Sequence, residues 1–251
     1  MPQSPLAADL AFRSMMAMLR PFERALKLDV QCAERIPDER PLLFVGNHQL
    51  LALDSIFLVS VLWQQRGIRL RSLGDDFLFR IPPVRFMIES LGAEPASPGA
   101  CGRMMRDGEC ILVYPGGARE AAKTQGKTFR LDWWDRLGFA RMALTHGCTV
   151  VPVAASGIDS NLRVLMGAEQ LVPAPLRALV ERLHVREDMV PPLFVPTGAP
   201  RLTFRFGNPI SMDHFGIRDD GTAQRKLRSE VASAIEYELS VLRAQRPPSG
   251  G

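Results

Sequence analysis

Continuous apolar runs and regularly spaced apolar residues alternate along the chain. A continuous apolar run that ends in glycine or polar turn residues is typical of a buried strand, whereas apolar residues three or four positions apart indicate a helix. Strands are predicted in residues 41–47, 68–74, 110–117, 148–156 and 201–210. Helices are predicted in residues 55–65, 83–91, 100–107, 137–146, 175–185 and 223–243. This alternation predicts an α/β fold, a single domain whose central sheet is mostly parallel and flanked by helices.

The beginning of the chain has a pattern of its own. Apolar residues recur there at helical spacing, and arginine and lysine side chains lie on or near the opposite face. The apolar positions are Leu6, Leu10, Met15, Leu19, Phe22 and Leu26. The pattern predicts an amphipathic N-terminal helical segment over residues 1–30, and it suits either a membrane surface or the protein's own core. The Pro-Gly-rich residues 246–251 are expected to form a flexible tail.

Composition narrows the classes of partner. The 251 residues are 46% hydrophobic and 23% charged, which is typical of a globular protein. The net charge of +4 comes largely from arginines spread along the chain. It favours an anionic partner such as a membrane surface, a phosphate or coenzyme A. Nucleic acid is not expected as a partner, because no cationic stripe with interleaved aromatic residues stands out.

Cysteine spacing and the lengths of the apolar runs bear on the compartment. Cys32, Cys101, Cys110 and Cys148 show no CxxC spacing, so neither a disulfide framework nor a zinc site is expected, and a reducing cytosolic compartment suits them. Charged residues interrupt the early apolar positions, so no signal peptide is expected. No run reaches the ~18–20 apolar residues of a membrane-spanning helix. We therefore expect a protein that lies on a membrane without crossing it.

The first candidate for chemistry follows the first predicted strand. Ligands of α/β proteins bind at the carboxyl ends of the strands, and there the chain reads Gly46-Asn47-His48, with Asp54 six residues after the histidine. A histidine can accept a proton at cellular pH, and a carboxylate that orients its ring makes it a better general base. Residues six apart do not share one helix face. A working pair therefore requires His48 in the turn before the helix that carries Asp54. Alternatively, Asn47 and His48 cap that helix and Asp54 faces solvent.

The second candidate is the turn that follows the third predicted strand. Gly116 and Gly117 would allow backbone N–H groups to approach an oxyanion or a phosphate closely. Arg119 adds a guanidinium suited to phosphate or carboxylate, and Glu120 follows it. The alternative is an ordinary tight turn with a surface arginine and glutamate.

Four sequence blocks in order resemble a known family. They are NHQLLALD, YPGGAR, DRLGFARMALTHG and VVPVA, and the resemblance spans roughly residues 41–210. These blocks are similar to those of the glycerolipid acyltransferase superfamily, which includes the lysophosphatidate (1-acylglycerol-3-phosphate) acyltransferases. The family's usual first block is NHxxxxD, and this chain has one extra residue between His48 and Asp54. That spacing and the Pro-Gly-Gly block look most like the branch of phytyl ester synthases and diacylglycerol acyltransferase-like enzymes.

The resemblance implies an acyltransferase domain over residues 31–245 and an O-acyltransferase activity. A fatty acyl group would move from acyl-CoA or acyl carrier protein to a lipid hydroxyl, with His48 as general base and Asp54 orienting it. Residues that would bind substrate or donor are Asn47, Gly116, Gly117, Arg119, Glu120 and Arg136. No metal and no cofactor beyond the thioester co-substrate are implied. The expected location is the cytoplasmic face of a membrane, as a peripheral protein.

The acceptor is the open part of the prediction. In the lysophosphatidate enzymes an arginine of the second block helps to bind the acceptor phosphate, whereas residues 91–99 of this chain contain no arginine. The expected acceptor is therefore neutral, such as diacylglycerol or a long-chain alcohol. Arg119 keeps a lysophospholipid acceptor open. Two further alternatives are a thioesterase or esterase that uses the same His48 and Asp54, and a lipid-binding protein without activity.

Overall fold

A computed structural model describes residues 5–49, 53–117, 120, 131–157, 162–166, 193–196, 201–215 and 221–245. Its helices are α1 (Pro5–Ala25), α2 (Leu53–Arg66), α3 (Pro82–Ser90), α4 (Pro98–Arg106), α5 (Gly138–His146) and α6 (Gly221–Ala244). Its strands are β1 (Asp29–Gln31), β2 (Leu42–Gly46), β3 (Leu70–Gly74), β4 (Glu94–Pro95), β5 (Cys110–Val113), β6 (Thr149–Ser156), β7 (Leu162–Met166), β8 (Leu193–Pro196) and β9 (Thr203–Phe206). The helix predicted over residues 175–185 lies outside the described residues.

A seven-stranded sheet organises the molecule, in the order β1-β9-β6-β2-β5-β3-β4. Every neighbouring pair is parallel except β6 with β9, which is antiparallel. The predicted α/β fold with a mostly parallel sheet is confirmed. Strands β7 and β8 form a separate antiparallel pair. The sequence pattern did not predict β1 and β4, which have only three and two residues.

The central strand β2 divides the core into two layers. Its side chains alternate between the two faces of the sheet: Leu42 and Phe44 pack in the cluster that also contains residues of α1 and α2. Leu43 and Val45 pack in the cluster formed with α4, α5 and α6. All four are completely buried. A continuous apolar run is therefore what a strand covered by helices on both faces requires.

The N-terminal helix α1 packs on the core, as one of its two alternatives predicted, and also leaves apolar side chains exposed. Phe12 is fully buried, and its ring meets that of Trp63 edge-on at 5.2 Å between centroids. The remaining face leaves apolar side chains in solvent, with exposed fractions of 81% for Leu6 and 66% for Leu10. Met18 and Phe22 are similarly exposed. The helix thus packs on the core through one face and presents a second apolar face outwards.

Within the ranges given above, none of the helices α1 to α6 combines the length and the apolar character needed to cross a bilayer.

Candidate active site

The carboxyl ends of three neighbouring strands meet at one edge of the sheet. β2 lies between β5 and β6 and is parallel to both, so the three strands leave the sheet in the same direction. Asn47 and His48 follow β2, and Tyr114 follows β5. Helix α2, which carries Asp54, begins at Leu53. The sheet topology therefore collects these side chains in one place.

Asn47 fixes the turn that follows β2. Its side chain is completely buried, its amide oxygen accepts the Ala155 N–H at 2.7 Å, and its amide nitrogen donates to the Ala155 carbonyl at 2.9 Å. Gln49, also buried, donates to the same carbonyl at 2.9 Å. His48 is thus held between two residues that are both anchored to β6. The sequence suggested that Asn47 binds substrate, but because its amide is engaged with β6 we assign it a positioning role.

His48 and Asp54 lie in direct contact. The Nδ1 atom of His48 is 3.0 and 3.1 Å from the two carboxylate oxygens of Asp54. Asp54 is fully buried in the first turn of α2, where the positive end of the helix dipole stabilises a negative charge. With Nδ1–H donating to the carboxylate, Nε2 is the ring nitrogen left to accept a proton from a substrate. As its spacing requires, His48 precedes the helix that carries Asp54.

Tyr114 stacks on the histidine, a contact that the sequence did not reveal. The two rings are almost parallel, with 3.9 Å between centroids and 5° between planes. A Cβ on Gly46 would lie 3.1 Å from the tyrosine Cε1 and 3.1 Å from the Val153 carbonyl oxygen. A side chain at the glycine that ends β2 would therefore crowd both the tyrosine ring and the backbone of β6. The only indication of this contact in the sequence was the position of the tyrosine at the end of an apolar run.

The phenol of Tyr114 is held neutral. Its hydroxyl oxygen is buried. Burial, followed by the carboxylate of Asp54 and then that of Glu120, raises the pKa of Tyr114 well above its ordinary value. The stacked ring therefore carries no negative charge at neutral pH and does not compete with Asp54 for the imidazole.

The two glycines of the Pro-Gly-Gly turn provide space and curvature. Gly117 has a left-handed φ of 58°, and its N–H donates to the Tyr114 carbonyl at 3.0 Å. A Cβ on Gly116 would overlap the Glu120 carboxylate, and one on Gly117 would lie 2.9 Å from Nη1 of Arg136. Both amides were candidates for binding an oxyanion. The Gly117 amide is used in the turn, whereas that of Gly116 has no acceptor among the described residues.

The charged residues predicted near this turn have different surroundings. Glu120 is fully buried, and its carboxylate accepts the Asp132 N–H at 3.4 Å. Its side chain therefore lies in the protein interior and not on the surface. The Arg136 side chain is exposed, with Nη1 donating to the Pro115 carbonyl at 2.9 Å. Arg119 lies outside the described residues. Of the two described residues, Arg136 is the one whose side chain is exposed.

A cavity of about 370 Å³ lies beside Tyr114. Tyr114 forms part of its wall, most of the lining is apolar, and Arg136 and Arg141 border it. Cys101 also lines the cavity, but burial raises the pKa of its thiol to about 11. The thiol is therefore protonated at neutral pH and is not a thiolate nucleophile. The cavity thus offers an apolar space whose wall includes the tyrosine that stacks on His48.

Comparison with known proteins places the site within a family. The model of the family described as Acyltransferase matches residues 27–156, about half of the chain. That match includes His48, Asp54, Tyr114 and the Pro-Gly-Gly turn. The chain belongs to the Acyltransferase family, as its sequence blocks suggested.

The chain is similar in sequence to known phytyl ester and storage-lipid enzymes and similar in fold to a solved structure. The chain is 29% identical over 245 residues to phytyl ester synthase 2 of Arabidopsis thaliana, covering 87% of this chain and 35% of that protein. It is 28% identical over 215 residues to the DGAT1/2-independent enzyme synthesizing storage lipids of Gallus gallus, covering 84% of this chain and 61% of that protein. The chain thus spans about a third to three fifths of these two relatives. The crystal structure of the 1-acyl-sn-glycerophosphate acyltransferase PlsC from Thermotoga maritima has the same fold, with a TM-score of 0.60 at 18% identity, covering 98% of this chain and 86% of that one.

The role of Asn47 can be measured directly. Replacing Asn47 by alanine leaves the buried Ala155 N–H without its acceptor, and we expect the free energy of unfolding to fall by about 1–3 kcal/mol. Asn208→Ala is the matched control, because Asn208 is exposed, and a change within about 0.5 kcal/mol is expected there. Urea denaturation of both variants checks this. Equal midpoints for Asn47→Ala and the unchanged protein would contradict the positioning role.

Proposed function

We propose that this protein is an O-acyltransferase that moves a fatty acyl group from a thioester, acyl-CoA or acyl carrier protein, to the hydroxyl of a neutral lipid. The observation that carries the proposal is the buried hydrogen bond between His48 and Asp54 at the carboxyl end of the central strand. A histidine held in this way is equipped to act as a general base.

The reaction is a direct transfer. The acceptor hydroxyl loses its proton to Nε2 of His48 while its oxygen attacks the thioester carbonyl carbon. Asp54 stabilises the imidazolium that forms. The tetrahedral intermediate then collapses, the carbon–sulfur bond breaks, and the imidazolium returns the proton to the departing thiolate. The products are an ester and a free thiol.

The Gly116 amide is the backbone group that we assign to the developing negative charge of that intermediate. A preorganised N–H aimed at an oxyanion is worth more in a water-excluded site than in solvent. The turn bond between Gly117 and Tyr114 holds the neighbouring amide in place. This assignment replaces the pair of amides that the sequence suggested with one.

Two observations support a neutral acceptor. The names of the Arabidopsis and chicken relatives refer to a phytyl ester and to storage lipids. In addition, residues 91–99, where the lysophosphatidate enzymes carry an arginine, contribute Ala96, Ser97 and Pro98 to the cavity. Glu94, from the same stretch, pairs with Arg71 and Arg103. The second block thus supplies no cation for a phosphate.

A phosphorylated acceptor is the second candidate. Arg136 is exposed beside the Pro-Gly-Gly turn and borders the cavity. A guanidinium in that position suits a phosphate next to the reacting hydroxyl. Acylation of a lysophospholipid is therefore the alternative that a specific side chain favours.

The exposed face of α1 supports peripheral attachment to a membrane. We define the apolar surface as Leu6, Leu10, Met18 and Phe22, all exposed on α1. The arginines Arg13, Arg20 and Arg24 of the same helix are exposed as well. Apolar side chains beside cationic ones match an anionic lipid surface. Attachment there would bring a water-insoluble acceptor to the enzyme.

Catalysis by the pair can be tested by substitution. With palmitoyl-CoA and a long-chain alcohol, we expect His48→Ala and Asp54→Asn to lower kcat by ~10²- to 10⁴-fold, the usual contribution of general-base catalysis. His214→Ala is the control, because the His214 side chain is 51% exposed and lies outside the site. Ester formation is followed by mass spectrometry and thiol release by absorbance. Near-native transfer by both folded site variants would refute the assignment. Thiol release that does not depend on the alcohol would indicate a thioesterase.

Membrane attachment can be tested without removing α1, whose Phe12 is part of the core. The double substitution Leu10→Ser with Phe22→Ser removes two members of the apolar surface. We expect it to reduce co-sedimentation with anionic phospholipid vesicles, because less apolar area enters the interface. Tyr237→Ser, at a residue 64% exposed on α6, is the control. Unchanged co-sedimentation of the double variant would exclude this surface as the attachment site.

A further inference from the structure

We propose that Tyr114 is a positioning residue for the general base. Its ring holds the imidazole of His48 in the plane that keeps Nδ1 on Asp54 and presents Nε2 to the acceptor hydroxyl. The role in turnover rests on the proposed acyl transfer, whereas the stacking itself does not.

The hydrogen bond to Asp54 does not fix the histidine ring alone. Nδ1 is almost equidistant from both carboxylate oxygens, at 3.0 and 3.1 Å, so the bond tolerates a tilt of the ring. The outer torsion of a histidine side chain is also broad and lacks sharp minima. A second contact is needed to set the ring plane. The parallel face of Tyr114, 3.9 Å away, is that contact.

Tyr114 is itself well fixed. Its carbonyl accepts the N–H of Gly117, which ties the residue to the Pro-Gly-Gly turn. Gly46 leaves just enough room for the edge of the ring, since any Cβ there would come within 3.1 Å of Cε1. The tyrosine is anchored by its own turn and by the end of β2, so it can hold the ring of His48 in place.

The stacked face, and not the hydroxyl, is the part that this role requires. The hydroxyl oxygen is buried near the Asp54 carboxylate but makes no hydrogen bond of normal geometry within the described residues. A phenylalanine has the same face without the hydroxyl. A leucine fills a similar volume without a planar face. The two substitutions therefore separate the ring from the hydroxyl.

The kinetic test compares Tyr114→Leu with Tyr114→Phe. Loss of an aromatic pair is expected to lower kcat by about 10-fold, the upper range for such stacking. The KM for palmitoyl-CoA should change less than about twofold, because leucine keeps an apolar side chain in the cavity wall and loses only the planar face that orients the base. Phenylalanine should restore most of kcat. Tyr237→Leu is the matched control on the exposed surface of α6.

A spectroscopic test needs no turnover. The chain has 4 histidines, so the imidazole proton resonances of His48 can be assigned by their absence in His48→Gln. In the unchanged protein and in Tyr114→Phe we expect these protons shifted upfield by the stacked ring. In Tyr114→Leu the shift should be lost. The spectrum of the unchanged protein keeps the proposal testable even if the leucine variant does not fold.

Each outcome decides the matter. A leucine variant with unchanged kcat, or a phenylalanine variant as slow as the leucine variant, would overturn the proposal. An unchanged protein without the upfield shift would overturn it as well. If the protein transfers no acyl group to any acceptor, the proposed function fails, and the spectrum still reports separately on the stack.

Discussion

The two hydrogen bonds between the Asn47 amide and the backbone of Ala155 hold the chain where β2 leaves the sheet. They continue the pairing of β2 with β6 by one more residue, through a side chain in place of the backbone. His48 follows directly, so its position is set by the sheet and not by a loose loop. The other parts of the site depend on this point. Asp54 reaches the histidine from α2, and Tyr114 reaches it from β5.

The surroundings of the histidine divide into a polar side and an apolar side. Asp54 and Glu120 are buried carboxylates whose neighbours include Tyr114, which they help to keep neutral. Beyond the tyrosine lies the apolar cavity. This arrangement suits a reaction in which a proton moves locally while the long hydrocarbon parts of the substrates stay in apolar surroundings. The exposed apolar face of α1 offers similar apolar surroundings at the surface of the molecule.

The local pattern was sufficient to predict the fold class, because β2, β5 and β6 are continuous apolar runs and the helices α3, α4 and α5 between them are amphipathic. It was not sufficient for β1 and β4, which are short and incompletely buried. No local sequence pattern indicates that β9 runs antiparallel to β6. The spacing of His48 and Asp54 did constrain the site, since helix geometry requires the histidine to precede α2. The stack with Tyr114 and the anchoring by Gln49 depend on strand neighbours that are distant in sequence, so no local pattern indicates them.

The central claim is that the buried pair activates the hydroxyl of a neutral lipid. It is tested most directly by competition: the protein, palmitoyl-CoA, and equal concentrations of a long-chain alcohol and lysophosphatidate in one mixture, with both products quantified by mass spectrometry. The account predicts that the neutral ester forms in excess. Predominant formation of phosphatidate would contradict it and would give Arg136 the role of holding the acceptor phosphate.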